Sequence, residues 1–283
     1  NLNVEDPVWR DIIRDVRFRR ALSLGIDRDE INEAVYLGLA QPSADTVLPQ
    51  SPLFKPEYQE AWASYDPDQA NALLDEMGLT ERNDEDIRLL PNGEPANLVV
   101  ETAGESTEQT DLMELIADHV SQIGIRLIVR ATQREVMRKR VFSGQTVMSV
   151  WSGLDNAVAT PEMSPFSISP SAEDQLIWPR WGLYYLSNGE KGEKPTLPEV
   201  EKLAELAETW RGASSTEERA EIWHKMLSIY TDQVFSIGTV NGTRQPVVMS
   251  SKLKNVPEEG VFSFSPGSYF GVYLMDTYWY AGD

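Results

Sequence analysis

Residues 96–151 read ANLVVETAGESTEQTDLMELIADHVSQIGIRLIVRATQREVMRKRVFSGQTVMSVW, a stretch in which the spacing of apolar residues changes period four times. Three segments rich in β-formers alternate with two segments of helical periodicity: 96–103, 107–123, 125–129, 133–142 and 146–151. This order of strand, helix, strand, helix and strand is typical of crossover units, in which helices cover a sheet. The stretch therefore predicts an α/β fold.

Two helices and a loop are predicted before this stretch. Apolar positions after Pro7 favour one helix that continues to Gly25. Asp27 is a suitable N-cap for a second helix, which ends at Gly38. Four prolines lie between residues 41 and 65, too many for a regular element, so this region is predicted to be an ordered surface loop.

Three further helices and a long loop complete the prediction. Asp66, followed by a proline, begins a helix that stops at Gly78. Residues 152–196 are rich in proline, serine and tryptophan and predict a long irregular loop, a kind of segment that often carries function. Two amphipathic helices follow, one over 197–211 and one from Ser215, where the sequence Ser-Thr-Glu-Glu forms a capping box.

The composition argues against several classes of function. The chain has 283 residues with 25 Lys+Arg and 45 Asp+Glu, so its formal net charge is 25 − 45 = −20. This balance argues against a nucleic-acid partner and an anionic membrane surface, because Lys and Arg supply most of that affinity. The absence of cysteine removes disulfides, Cys-based metal sites and thiol nucleophiles. No apolar run approaches the roughly 20 residues that span a bilayer, so direct membrane insertion is not expected.

The chain carries no recognised catalytic signature. The patterns G-x-S-x-G, G-x-G-x-x-G and H-E-x-x-H are all missing. Of the two histidines, His119 is predicted to be a boundary or core residue and His224 to face solvent. We therefore expect no cofactor and no metal site. A pair of catalytic carboxylates, as in glycosidases, stays open in a chain with 45 acidic residues.

Three segments together resemble motifs of one protein family. Residues 16–31 read VRFRRALSLGIDRDEI, which resembles the VRqALslAIDRdeI signature of the family 5 extracellular solute-binding proteins. These proteins are the receptors of dipeptide, oligopeptide and related ABC importers. Residues 65–79 read YDPDQANALLDEMGL and resemble the family's yDPekAkaLLaeaGl segment, while residues 266–273 resemble the C-terminal end of one subgroup. The resemblance covers the later part of the family's sequence, so the chain is expected to be the C-terminal portion of a larger precursor.

The resemblance implies a two-lobed α/β receptor that closes on its solute. Residues 1–235 would form the second lobe, a periplasmic-binding-protein-like domain with a mixed sheet flanked by helices. Residues 236–283 would cross the hinge and complete the first lobe, which would cover the eight aromatic residues of 256–283. The alternative is that these rings pack on this same domain. The resemblance further implies a monomeric periplasmic protein, with a signal peptide upstream of Asn1, that serves an ABC permease in the inner membrane.

Two segments supply the candidate solute-binding residues. In the family, the loop after the third strand of this lobe faces the cleft, and its Asp pairs with the α-ammonium of a peptide. The matching stretch carries Trp151, Asp155 and Asn156, with Asp155 displaced by one residue from the family's Gly-Asp pattern. Residues 178–185 hold four aromatic rings and one arginine, which can stack on sugars or peptide side chains and hold a carboxylate. The candidates there are Trp178, Arg180, Trp181 and Tyr184, with packing of the rings in a loop core as the alternative.

These observations predict the substrate-binding component of an ABC importer and not an enzyme. It would capture peptide-like solutes by closure of two lobes and deliver them to the permease. A receptor of the same class for oligosaccharides or glycosides is the first alternative. A carboxylate-dependent hydrolase and a sensor domain on the same fold are alternatives of other classes. Since one lobe offers half of the contacts, this chain alone is expected to bind weakly or not at all.

Overall fold

The computed structural model describes residues 1–261, 264–265 and 273–282. Their α-helices are α1 Pro7–Arg14, α2 Val16–Leu24, α3 Arg28–Tyr36, α4 Pro56–Glu60, α5 Pro67–Glu76, α6 Thr107–Ser121, α7 Arg134–Phe142, α8 Pro179–Leu186, α9 Pro198–Gly212 and α10 Thr216–Asp232. Their strands are β1 Gln41–Pro42, β2 Asn97–Thr102, β3 Arg126–Ala131, β4 Met148–Ser149, β5 Val240–Asn241, β6 Leu253–Lys254 and β7 Trp279–Tyr280. Short 3-10 helices cover Phe166–Ile168 and Met275–Thr277.

The central sheet has three parallel strands in the order β3–β2–β4. β2 pairs with β3 along its whole length, from Asn97 opposite Arg126 to Thr102 opposite Ala131. The helices α6 and α7 lie between the strands in the chain, as crossover connections require. The predicted α/β fold is confirmed. Within the described residues this sheet is parallel throughout, and antiparallel pairing occurs in the separate two-residue ladders β1–β5 and β6–β7.

Three helices begin at the residues that the sequence predicts. The side chains of Asp27, Asp66 and Ser215 each accept a hydrogen bond from the backbone N–H three residues further along the chain. These contacts satisfy amide groups that the first helical turn leaves without a partner. The N-cap predictions for α3, α5 and α10 are therefore confirmed.

Two predictions in the N-terminal region need correction. The helix predicted from Pro7 to Gly25 is divided at Asp15, whose backbone is extended and whose carboxylate accepts the N–H of Arg17. Asp15 therefore caps α2 instead of continuing α1. The surface loop predicted over residues 41–65 contains α4, and several of its apolar side chains lie in the core: Val47, Leu53 and Tyr58. Prolines prevent a long regular element here, but the apolar residues between them are still buried.

The long loop predicted over residues 152–196 also contains regular structure. Phe166–Ile168 forms a 3-10 helix, and α8 begins at Pro179, a residue type well suited to the first helical position. α8 packs so closely on the preceding segment that a Cβ built at Gly182 would lie 2.0 Å from the carbonyl oxygen of Ala172. The core of the domain thus extends into the region predicted to be irregular.

The C-terminal segment differs from the rest of the chain in burial. The apolar core runs from Leu2 to Phe235, and from Ser236 onward no described residue is buried. Large apolar side chains are exposed there, including Val248 at 98%, Trp279 at 57% and Tyr280 at 67%. The division into 1–235 and 236–283 stays a prediction, and most of the segment 266–273 lies outside the described residues.

Candidate functional site

The carboxyl ends of the three parallel strands meet at one edge of the sheet. The loops that follow β2 and β3 approach each other closely, since a Cβ built at Gly104 would lie 3.2 Å from the carbonyl oxygen of Thr132. Gly104 has a φ of +64°, a backbone conformation that glycine adopts without strain. The helices α6 and α7 begin at this edge, and Trp151 follows β4 there. In open α/β sheets, this edge is where ligands generally bind.

Side chains from all three strand-end loops contact one another at this edge. Arg134, the first residue of α7, forms an ion pair with Glu105 from the loop after β2. The Arg134 guanidinium also lies 5.2 Å from the centre of the Trp151 ring, and that of Arg138 lies 5.9 Å from it. Trp151 is 38% exposed, so one part of its ring contacts the arginines while another part is open to solvent. Residues 105, 134, 138 and 151 are called the edge cluster below.

The loop after Trp151 is held by a carboxylate from a distant part of the chain. Leu154 donates its backbone N–H to Oδ1 of Asp45 over 3.2 Å, and the Tyr230 hydroxyl donates to Oδ2 of Asp45 over 3.2 Å. Burial raises the pKa of Asp45, and the charge of Asp155 raises it further. Asp45 therefore joins the strand-end loop to the end of α10.

Asp155 and Asn156 occupy different environments in this loop. Asp155 is half-buried, and its carbonyl oxygen accepts the N–H of Ser265 over 2.8 Å. Partial burial raises the pKa of the Asp155 carboxyl, with a further contribution from the charge of Asp174. Asn156 is buried, and its Oδ1 has no hydrogen-bond partner among the described residues. Of the three candidates predicted in this loop, Trp151 is thus exposed, Asp155 half-buried and Asn156 enclosed.

The predicted stacking surface of residues 178–185 is corrected by the structure. Trp178 and Trp181 are 0% exposed and lie in the apolar core, so their rings have no face open to a solute. Arg180 pairs with Glu5 and Glu193, at 2.6 and 2.8 Å respectively.

The fourth candidate of this segment, Tyr184, is half-buried, and its ring contacts the ring of Tyr185 edge-on at 5.5 Å between centroids. Because this segment forms a helix with a buried face and not a loop, its rings stabilise the domain.

The two histidines have protein partners. His119 is buried, as predicted: its Nδ1 accepts the N–H of Asp27 over 3.3 Å, and its Nε2 lies 2.8 Å from a carboxylate oxygen of Glu30. His224 is half-buried, with Nδ1 at 3.1 Å from the Tyr58 hydroxyl. Over residues 1–261, 264–265 and 273–282, His, Asp and Glu side chains form no group of three that would hold a metal ion. No helix in those ranges is long and apolar enough to cross a membrane.

Three members of the edge cluster were absent from the sequence prediction: Glu105, Arg134 and Arg138. A signal for them exists in the sequence. The predicted basic helix 133–142 directly follows a strand, so its first turns must lie at the carboxyl edge of a parallel sheet. The ion pair with Glu105 also requires the position of the loop after β2, which apolar periodicity does not define.

Comparison with known proteins relates the chain to one family. The sequence profile described as bacterial extracellular solute-binding proteins, family 5 Middle, matches residues 1–173, more than half of the chain. The periplasmic alpha-galactoside-binding protein of Rhizobium meliloti is 18% identical over 254 residues, which are 88% of this chain and 35% of the relative. The dipeptide-binding protein of Escherichia coli is 28% identical over 148 residues, 52% of this chain and 26% of the relative. The chain thus spans well under two thirds of these relatives.

Solved structures share the fold. The oligopeptide-binding protein OppA superposes with a TM-score of 0.75 and 31% identity, over 84% of this chain and 39% of that chain. A periplasmic binding protein from Agrobacterium fabrum, solved with stachyose, superposes with a TM-score of 0.67 and 14% identity, over 82% of this chain and 34% of that chain. The predicted periplasmic-binding-protein-like fold is confirmed.

Proposed function

This chain belongs to the bacterial extracellular solute-binding proteins of family 5, and from this premise we propose that it forms one lobe of a periplasmic receptor for an ABC importer. The receptor captures peptide-like solutes and delivers them to the permease in the inner membrane. It acts as a monomer and performs no covalent chemistry. Relatives that are named for a dipeptide and for oligopeptides support the choice of solute.

One observation carries the proposal for the site. The three strand-end loops meet at one edge of the parallel sheet, where an exposed tryptophan ring and a half-buried carboxylate lie on the loop after β4 and two arginine side chains lie on α7. Pockets for small solutes combine apolar rings with a few polar groups in this way. We keep Trp151 and Asp155 as solute-facing residues, with the Asp155 carboxylate as the partner of a peptide ammonium group.

The function requires a second lobe on the other side of the solute. Residues 1–235 contain all buried residues of the described chain, which supports their assignment to one lobe. Residues 236–283 then cross the hinge and join the other lobe, whose surface covers exposed side chains such as Val248, Trp279 and Tyr280. Solute contacts with both lobes favour the closed state, and the permease recognises that state.

An oligosaccharide receptor is the second candidate. The observation in its favour is the exposed Trp151 ring, since aromatic faces stack on sugar rings. A relative named for alpha-galactosides adds support.

A thermal-shift panel on a two-lobed polypeptide that contains this chain tests the proposal. Short peptides, oligosaccharides, glycosides and amino acids are compared. A solute at about 100 times its Kd is expected to stabilise the receptor by about 2.7 kcal/mol, a shift of several degrees. A response to peptides supports the main proposal, and a response to sugars supports the second candidate. The absence of a response to every solute would contradict the proposal that the protein is a solute receptor.

Two variants and one calorimetric control sharpen this test. Asp155→Asn is expected to weaken peptide binding about tenfold, because it removes one charge-assisted hydrogen bond. The exposed Asp84 supplies the matched control, since Asp84→Asn removes the same charge away from the site. The 283-residue chain alone is expected to bind weakly, so calorimetry that gives micromolar affinity for it would contradict the two-lobe requirement.

A further inference from the structure

Arg138 has surroundings unlike those of the neighbouring arginines. Arg134 pairs with Glu105, and Arg140 pairs with Glu101 over 2.8 Å. Arg138 is half-buried, and its guanidinium lies 5.5 Å from the ring centre of Phe142 and 5.9 Å from that of Trp151. In the part of the chain that the structure describes, it forms no hydrogen bond and no ion pair.

The ring contacts of Arg138 leave its hydrogen-bond donors available. Aromatic rings attract the cation through their faces, which leaves the five N–H donors available in the guanidinium plane. Donors that are partly removed from water without an acceptor cost free energy, so the arrangement favours an acceptor that approaches in that plane. A carboxylate matches the guanidinium fork with two parallel hydrogen bonds.

The charges around Arg138 favour an anion at this point. The ion pair with Glu105 offsets the charge of Arg134, while Arg138 retains its full positive charge. This positive charge stands in a chain whose net charge is −20. The edge cluster is thus locally cationic on a strongly acidic protein.

We propose that Arg138 and the exposed ring of Trp151 form a subsite that binds a carboxylate of the solute. The guanidinium accepts the carboxylate edge-on, and the Trp151 ring packs against the carbon atoms next to it. The biological part of this inference rests on the proposed function, and it narrows the solute class to compounds with a free carboxylate. A peptide C-terminus and a uronic acid of an oligosaccharide share this chemistry.

The first experiment probes the subsite directly and needs no knowledge of the solute. Acetate is titrated into the 283-residue chain, and the side-chain Nε–Hε NMR resonance of Arg138 is followed. This resonance is assigned by its loss in Arg138→Lys, which keeps the charge and removes the planar fork. The expected result is a saturable shift with acetate that sodium chloride of equal ionic strength does not produce.

The titration has a control variant at the neighbouring Lys139 and a result that would contradict the subsite. Lys139→Gln removes an adjacent exposed charge and is expected to leave the acetate-induced shift of Arg138 in place. Equal shifts with acetate and chloride would show that Arg138 senses only ionic strength and would overturn the subsite.

The second experiment separates the subsite from the proposed function. In the two-lobed polypeptide, each solute is compared with a partner that lacks the carboxylate: a short peptide with its C-terminal amide, and a uronic-acid oligosaccharide with the neutral sugar. In one pair, the acid form is expected to bind at least about tenfold more tightly than the partner without the carboxylate. Arg138→Gln should reduce this ratio of the two Kd values to near one. Whichever pair shows the preference identifies the source of the carboxylate.

The outcomes of this comparison are distinct. If peptides or sugars bind but acid and amide or neutral forms bind equally, the subsite is overturned and the receptor function stands. The same conclusion follows if Arg138→Gln leaves the ratio unchanged while Lys139→Gln behaves like the parent chain. If no solute of either class binds, the proposed function itself is contradicted, and the subsite loses its role in transport.

Discussion

Two regions of the molecule combine tryptophan with arginine, and they differ in burial and in the partners of the arginine. At α8, the N-cap residue Trp178 and the helical residue Trp181 are fully buried, and Arg180 pairs with two glutamates. In the edge cluster, Trp151 is 38% exposed, and Arg138 lies against two aromatic rings and forms no ion pair among the described residues. The same residue types therefore stabilise the core in one region and lie on an accessible surface in the other.

Position in the fold explains the difference. The Trp178 ring contacts Tyr230 and Phe235 edge-on, so the N-cap of α8 packs against α10 and the residue that ends the core. Trp151 follows a strand at the carboxyl edge of the sheet, where loops remain accessible. Aromatic density alone therefore does not predict whether a ring is accessible, and the place of the ring relative to the strand ends must be considered as well.

The largest expected effect comes from truncation of the two kinds of tryptophan. Trp181→Ala is expected to lower the free energy of unfolding by about 3–5 kcal/mol, because it leaves a cavity in the core. Trp151→Ala is expected to lower it by about 1 kcal/mol, since much of this ring already contacts water and its arginine contacts are weak. Urea unfolding of both variants measures the difference.

This pair tests the comparison in both directions. Similar losses for Trp181→Ala and Trp151→Ala would show that the two rings contribute alike to stability, which would contradict the division into core and surface. Solute binding gives the opposite expected order, because Trp151→Ala removes a ring from the proposed subsite and retains the core.

A smaller effect is expected from the close contact beneath α8. Gly182→Ala places a methyl group 2.0 Å from the Ala172 carbonyl oxygen, a distance that forces the helix and the 169–176 segment apart. We expect a loss of about 1–3 kcal/mol in the free energy of unfolding. Gly212, near the end of α9, is the matched control, because no atom lies within 4 Å of a Cβ built there.

The two alanine variants are measured by urea unfolding under the same conditions. Gly212→Ala is expected to be neutral or to stabilise by up to about 1 kcal/mol, since alanine restricts the unfolded chain. An unchanged stability of Gly182→Ala would mean that α8 packs less tightly than the structure shows, and the contrast with the edge cluster would weaken accordingly.

Periodicity and capping predicted most of the fold. The alternation over residues 96–151 defines the parallel sheet and its two crossover helices, because strands and helices impose different spacings on buried side chains. Asp27, Asp66 and Ser215 act as predicted because a cap depends on residues within one helical turn. These features are local, so the sequence carries them directly.

The site was predictable only in part, for a physical reason. Trp151 and Asp155 follow a strand, and their place at the edge follows from topology. The burial of Trp178 depends on contacts with Tyr230 and Phe235, about 50 residues further along, which periodicity over a short segment does not encode. The link from Asp45 to Leu154 spans 109 residues and involves a loop predicted to lie on the surface.

The smallest expected effect concerns the hydrogen bond between Asp45 and Leu154, through which a partly buried carboxylate holds the loop at the edge of the sheet. Burial raises the pKa of Asp45, so the folded chain holds its proton more tightly than the unfolded chain does. The stability that this proton contributes is fully present below the ordinary pKa of about 3.9 and is lost as the pH rises through the raised value.

Asp45→Asn keeps an oxygen that accepts the N–H of Leu154 and removes the charge, so it is expected to stabilise the chain at pH 7 by about 1 kcal/mol or less. Urea unfolding between pH 3.5 and 7 should show the two proteins converging at the acid end and separating as the pH rises, whereas Asp84→Asn controls for the loss of one negative charge from a chain of net charge −20. A difference that does not vary with pH, or a destabilised Asp45→Asn at pH 7, would mean that the carboxylate charge itself holds the loop, and the edge region would then depend on a buried charge as firmly as α8 depends on its buried rings.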